Sequence, residues 1–148
     1  LEEEMKQARK VVETVHATRK FHNIKLRQPL NGFSYSIPKR LRKEIESLIA
    51  EETNVKNVTF ELTDSKLETP FISLDTNLTN ELIAEGKARD IVRQIQEERK
   101  KLGRKLDEKV DVVLGSWPIQ FEKEIKKKAL VHALKKGGSF KVERTTRL

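Results

Sequence analysis

The chain has 148 residues, with 31 Lys and Arg against 23 Asp and Glu and a net charge of +8. That length fits one compact domain with at most an appended element, and hydrophobic and charged residues at 36% each imply a modest core under a heavily charged surface. The lack of cysteine excludes disulfides, iron–sulfur clusters, thiol nucleophiles and Cys-based zinc sites, three scattered histidines argue against any other metal site, and no apolar run approaches bilayer-spanning length. The balance reads as a soluble cytoplasmic protein with no membrane contact. The start at Leu1, inside a helical pattern, reads as a piece of a longer chain.

Met5, Ala8, Val12 and Val15 recur at intervals of three and four, which predicts an amphipathic helix from residue 2 to about 20. Asn23, Pro29 and Asn31-Gly32 break it, and Phe33 to Ile37 alternates as a strand. Pro38 suits the first position of a second helix, marked by Leu41, Ile45, Leu48 and Ile49 and ending near Asn54. Val58, Phe60 and Leu62 predict a strand closed by a Thr63-Asp64-Ser65 turn, and Phe71 to Leu74 another. Thr79 is placed to cap a long helix whose apolar face runs from Leu82 to Leu102 and which ends at Gly103. Val110 to Leu114 reads as a buried strand. Ser116-Trp117-Pro118 opens a last helical region through about Lys136, in one or two pieces, and Gly137-Gly138 turns the chain into a strand at Phe140 to Val142 before a basic tail. The pattern predicts an α+β or small α/β fold, one small mixed sheet of short strands covered by two to three helices. Strand–helix–strand occurs twice, yet no sequence repeat is visible.

The residues offer little for catalysis. Phosphate-cradling glycine loops and a nucleophile elbow are both missing, and the paired carboxylates Glu44/Glu46 and Glu97/Glu98 sit among Lys and Arg as solvated charge. The basic excess says more. At 100° per residue, Arg89, Arg93, Gln96 and Lys100 fall in one stripe about 60° wide, flanking the buried face of the long helix. Such donors can follow a phosphate backbone. Lys25, Arg27 and Gln28 add donors on an extended segment, and Lys123, Lys126, Lys127, Lys128, Lys135 and Lys136 crowd the last region. Solvated surface charge and intramolecular pairing, such as Glu85 with Arg89, stand as the competing reading.

The segment from Leu78 through Gln96 to Gly103 resembles a late C-terminal region of isoleucyl-tRNA synthetases, with the pattern LTxELxxEGxxRxxxRxIQxxRKxxG. Ile24 to Leu30 is similar to that family's I-K-x-R-Q-P-L segment, and Leu48 to Lys56 to its IxEExNVK step. The resemblance implies a parent class I synthetase that joins isoleucine to its tRNA with ATP and Mg²⁺. It implies that residues 1–22 are the last helix of the anticodon-binding helical bundle and 23–148 an α+β junction domain. No HIGH or KMSKS signature is present, so no catalytic residue, metal site or cofactor is expected within this chain. The missing cysteines depart from relatives that end in a zinc module and point towards an archaeal or eukaryote-like type. The function implied is non-catalytic binding of tRNA(Ile) near its anticodon arm, with Lys25, Arg27, Gln28, Arg89, Arg93, Gln96 and Lys100 as RNA contacts. The alternative is a docking module for other synthetase domains or a partner protein, which requires the Met5, Ala8, Val12, Val15 stripe to stay exposed. Oligomers would form only through that stripe.

Overall fold

The computed structural model describes residues 1–62, 69–103 and 108–145. The chain divides into two compact units, Leu1–Leu82 and Ile83–Leu148.

The first unit begins with α1 (Glu2–Phe21), which carries Glu2, Glu3 and Glu4 in its first turn and Arg19 and Lys20 in its last, a charge order that complements the helix dipole. Then follow β1 (Leu30–Ser36), α2 (Lys43–Thr53), β2 (Val55–Phe60) and β3 (Phe71–Leu74). β1 lies central, parallel to β2 and antiparallel to β3. Its register sets Phe33 beside Val58 and Leu74, and Tyr35 beside Phe60 and Ile72. These side chains pack with Ala8, Val11 and Val15 of α1 and Ile45 and Ile49 of α2 in one core. Fully buried side chains such as Val11, Val15 and Leu30 contribute about 1.5–3 kcal/mol each. Gly32 is required where β1 runs closest to β2, because a Cβ there would stand 2.5 Å from the Asn57 carbonyl oxygen.

The second unit takes most of α3 (Asn80–Lys101), then β4 (Val110–Leu114), a 3-10 turn (Ile119–Phe121), α4 (Glu122–Ala129), β5 (Val131–Lys136) and β6 (Lys141–Arg144). β4 is central, parallel to β5 and antiparallel to β6. Ala88 and Ile95 of α3, Ile125 and Ala129 of α4, and Val110, Val112, Leu114 and Val131 of the sheet form its core. As expected, the Leu82 N–H donates to Thr79 Oγ1 (3.2 Å) at the start of α3, and Gly103 closes the helix at φ +68°.

The α+β expectation is borne out, with the strands divided between two small mixed sheets among the described residues. Several element bounds differ from the sequence reading. Pro38 does not open α2, which starts at Lys43, because the Leu41 N–H donates to the buried Tyr35 hydroxyl (3.0 Å) and holds the chain irregular there. The last helix does not reach Lys136. Leu130 adopts the left-handed conformation (φ +54°) and ends α4, and residues 131–136 pair with β4 as a strand. The strands begin at Leu30, Val55 and Lys141 rather than at Phe33, Val58 and Phe140. The Thr63-Asp64-Ser65 turn and the end of the basic tail lie outside the described residues.

The two units are copies of one motif, helix–strand–helix–strand–strand, with the same sheet order and the same strand directions. The correspondence reaches single residues. Ala8, Val11, Val12, Val15 and Arg19 of α1 match Ala88, Ile91, Val92, Ile95 and Arg99 of α3, and each of the ten packs in its unit's core or is a buried arginine. Each first helix ends one way: the N–H of left-handed Asn23 donates to Lys20 O and that of left-handed Gly103 to Lys100 O, both at 3.1 Å. Each second helix ends in a left-handed residue, Asn54 or Leu130, whose carbonyl accepts the N–H of the central strand's first residue, Leu30 (3.2 Å) or Val110 (3.1 Å). The buried arginine of the first helix bonds that same carbonyl, Arg19 to Asn54 O at 2.8 Å and Arg99 to Leu130 O at 3.4 Å. His16 Nε2 lies 3.4 Å from Glu52 O, and Gln96 Nε2 donates to Lys128 O at 3.5 Å. A strand order can recur among unrelated small folds; coincidence of core, cap and latch residues marks an internal structural repeat, of which the sequence showed only that strand–helix–strand occurs twice.

Candidate nucleic-acid interface

In the first unit the loop after α1 is pinned from beneath by Arg19. This side chain is 2% exposed and donates to four carbonyls: Thr53 O (3.0 Å), Asn54 O (2.8 Å), Lys25 O (2.9 Å) and Gln28 O (3.0 Å). Burial pushes its pKa below the usual arginine value, since desolvation disfavours the cation. No carboxylate pairs with it among the described residues, so the carbonyl dipoles hold the charge without neutralising it. Asn54 Nδ2 adds a bond to Leu26 O (2.8 Å). On this fixed backbone Lys25 is exposed and Arg27 half-buried. Gln28 is placed differently. Its amide donates to Pro29 O (2.9 Å) and Leu82 O (2.7 Å), so it latches the loop to the chain that enters α3. His16, Arg19, Lys20, Asn23, Ile24, Lys25 and Leu26 line a surface groove of about 500 Å³ along this loop.

In the second unit Arg89, Arg93, Gln96 and Lys100 lie along one side of α3, beside the face that buries Ala88, Ile95 and Arg99. Arg89 pairs with Glu85 (3.3 Å), as its i, i+4 spacing predicts, and Arg93 with Glu97 (3.1 Å). The Arg93–Glu97 pair is about half exposed on both sides, where such contacts contribute well under 1 kcal/mol and yield readily to a competing anion. Gln96 and Lys100 are exposed, and Gln96 ties the stripe to the end of α4. The structure thus brings these four together on one helix, and Lys25, Arg27 and Gln28 together on one loop. The basic cluster expected on a last helix is split by the turn at Leu130, with Lys126, Lys127 and Lys128 on α4 and Lys135 and Lys136 on β5.

Other features are better explained structurally. Trp117 packs against the second core and donates from Nε1 to Glu122 Oε1 (3.2 Å), and Tyr35 is fully buried against Phe60, so neither offers a free ring for base stacking. Asp111 sits between His132 Nδ1 (3.3 Å), Lys135 Nζ (3.7 Å) and Thr145 Oγ1 (3.4 Å). This is not a catalytic triad, because the Thr145 hydroxyl lies against Lys109 O (3.2 Å) and the carboxylate rather than against the imidazole. Among the described residues no group of three or more His, Cys, Asp or Glu could hold a metal ion, and no helix is long and apolar enough to cross a membrane. The apolar stripe that the docking alternative needs is largely covered. Ala8 and Val15 are buried in the first core, Val12 is half-buried against it, and Met5 is 39% exposed.

No protein-family model matches the chain. Among curated proteins it is similar to isoleucine–tRNA ligases. The match to that of Chlamydia caviae is 48% identical over 63 residues, and that of Chlamydia pneumoniae 47% identical over 64, each covering 40% of this chain. The enzyme of Bacillus thuringiensis is 47% identical over 45 residues, or 30% of the chain. The matched stretches span only 4–6% of the relatives' own length. The resemblance to isoleucyl-tRNA synthetases is thereby borne out.

Proposed function

We propose that this chain is a tRNA-binding part of an isoleucyl-tRNA synthetase, without catalysis of its own, that holds the anticodon arm of tRNA(Ile) while ATP-dependent ligation proceeds elsewhere in the parent. In this reading residues 1–22 continue the helical bundle, residues 23–148 form the junction that follows it, and the partners are tRNA(Ile) and the other domains of the same cytoplasmic enzyme. The observation that carries the proposal is the α3 stripe. Arg89, Arg93, Gln96 and Lys100 project from one face of a helix, with Arg93 in a half-exposed ion pair to Glu97 and Gln96 and Lys100 exposed. A polyanion with regularly spaced charges can replace such carboxylate partners and release counterions as it does so. Lys25 and Arg27 on the Arg19-pinned loop serve the same end; Gln28 shapes that loop through its two carbonyl bonds.

Charge reversal tests this reading. Arg93→Glu with Lys100→Glu removes two cations and adds two anions on an exposed helix face, with little effect on the core. Affinity for an isoleucine tRNA, read by fluorescence anisotropy, should fall at least tenfold at low salt. Unchanged affinity in a folded variant would reject the stripe as an RNA contact. The docking alternative loses support from the burial of Ala8 and Val15.

A further inference from the structure

We infer that the first unit carries a second polyanion-binding stripe, on α1, formed by Arg9, His16 and Lys20 and continued by Lys25. The inference rests on the RNA-binding reading of α3 and of the Lys25 loop and extends it to α1, whose Arg9, His16 and Lys20 that reading does not include. It follows from the internal repeat. The residues that superpose α1 on α3 also superpose their exposed sides, so Arg9 corresponds to Arg89, Glu13 to Arg93, His16 to Gln96 and Lys20 to Lys100. Three of the four positions keep a long or ring nitrogen donor, and the equivalence of His16 and Gln96 is fixed by their matching approach to Glu52 O and Lys128 O.

Two observations inside the first unit point the same way. Arg9 and Lys20 are exposed and have no ion-pair partner among the described residues, whereas Arg89 and Arg93 in the second unit are paired. The C-terminal end of the stripe opens into the groove that His16, Lys20 and Lys25 line together with the buried Arg19, whose charge is held by carbonyls and by no carboxylate among the described residues. The stripe and the pinned loop are therefore one surface. Glu13 is the exception, a carboxylate where α3 has an arginine. Its side chain is exposed, and it makes the α1 stripe the weaker of the two.

The class of ligand is a phosphodiester backbone, since a row of separated cations along a helix matches repeated single charges better than one compact anion. The experiment uses the full chain and an isoleucine tRNA transcript as probe, titrated at several salt concentrations. Glu13→Arg installs the residue that α3 carries; it should tighten binding several-fold and steepen the log–log salt slope by about 1. Arg9→Ala with Lys20→Ala should weaken binding by roughly tenfold and lower the slope by about 1 to 2. Lys39→Ala with Lys43→Ala, two exposed lysines of the same unit away from the stripe, controls for net charge. If this control lowers the slope as much as the stripe variant, or if the α1 variants leave affinity and slope unchanged while Arg93→Ala with Lys100→Ala reduces both, the α1 stripe is refuted and the α3 reading stands. If the unsubstituted chain does not bind the transcript at all, the functional reading falls and this inference falls with it.

Discussion

Arg19 should be among the most costly residues of the first unit to replace, although it belongs to no apolar core. Its guanidinium gathers carbonyls from three places, the end of α2, the left-handed turn at Asn54 and the loop at residues 25–28. Four bonds at 2.8–3.0 Å, each with a net contribution near 1 kcal/mol, suggest about 4 kcal/mol. Charged donors raise that figure, and the desolvation that depresses the arginine's pKa lowers it. Arg19→Met keeps the apolar stem packed and strips away only the donors, so the variant isolates the latch. We expect a loss of about 3–4 kcal/mol, a large share of the roughly 5–15 kcal/mol typical of folded domains. Arg19→Lys, a single ammonium with three donors, cannot span all four carbonyls and should lose about half as much. Urea unfolding followed by far-UV circular dichroism, compared at equal m-values, reads the difference. A loss below about 1 kcal/mol for Arg19→Met would mean that water satisfies these carbonyls as well as the guanidinium does, and would refute the latch.

Three further outcomes follow from the geometry. Tyr35 is fully buried and donates its hydroxyl proton to Glu46 Oε2 at 2.6 Å; burial first, and that bond second, push its pKa well above the ordinary value of 10.0. The unfolded chain gives up this proton near pH 10 while the folded chain keeps it, so the stabilisation is complete below pH 10 and is lost as pH rises beyond it. Tyr35→Phe should remove that part of the alkaline slope and cost about 1–3 kcal/mol at neutral pH, seen in denaturant melts from pH 8 to 11. Gly32→Ala drives a methyl group to within 2.5 Å of the Asn57 carbonyl oxygen and should destabilise by about 2 kcal/mol or more in thermal melts; a neutral effect would show that β1 and β2 can move apart freely. Leu130→Asn gives the second unit's left-handed position the residue that the first unit has at Asn54, and should stabilise by up to about 1 kcal/mol, whereas Asn54→Leu should cost at least that much and also lose the bond to Leu26 O.

The long helices and the short strand at Phe71–Leu74 were legible because apolar spacing and capping residues agree there: Thr79 caps α3, and Asn23 and Gly103 take the left-handed positions that end α1 and α3. The end of α4 was not legible. Lysines on both sides of Leu130 give the same polar signal to a helix face and to an exposed strand edge, and a leucine at positive φ leaves no mark in the sequence. The loop residues show the limit for the interface. Lys25 and Gln28 have equal claims by composition, but only the fold reveals that Gln28 spends its amide on Pro29 O and Leu82 O. The repeat was hidden for a similar reason. Aligned along their helices, α1 and α3 share Ala8/Ala88, Arg9/Arg89, Val12/Val92, Arg19/Arg99 and Lys20/Lys100, too few identities to stand out until the carbonyls held by the two arginines show which positions correspond.

RNA binding by this chain is measured most directly at equilibrium. The full chain should bind a fluorescein-labelled isoleucine tRNA at low salt, with log affinity falling linearly against log salt at a slope that reflects several phosphate contacts. Unlabelled isoleucine tRNA should compete with the labelled probe. A folded chain that shows no binding at low salt, or binding indifferent to salt, would contradict the account.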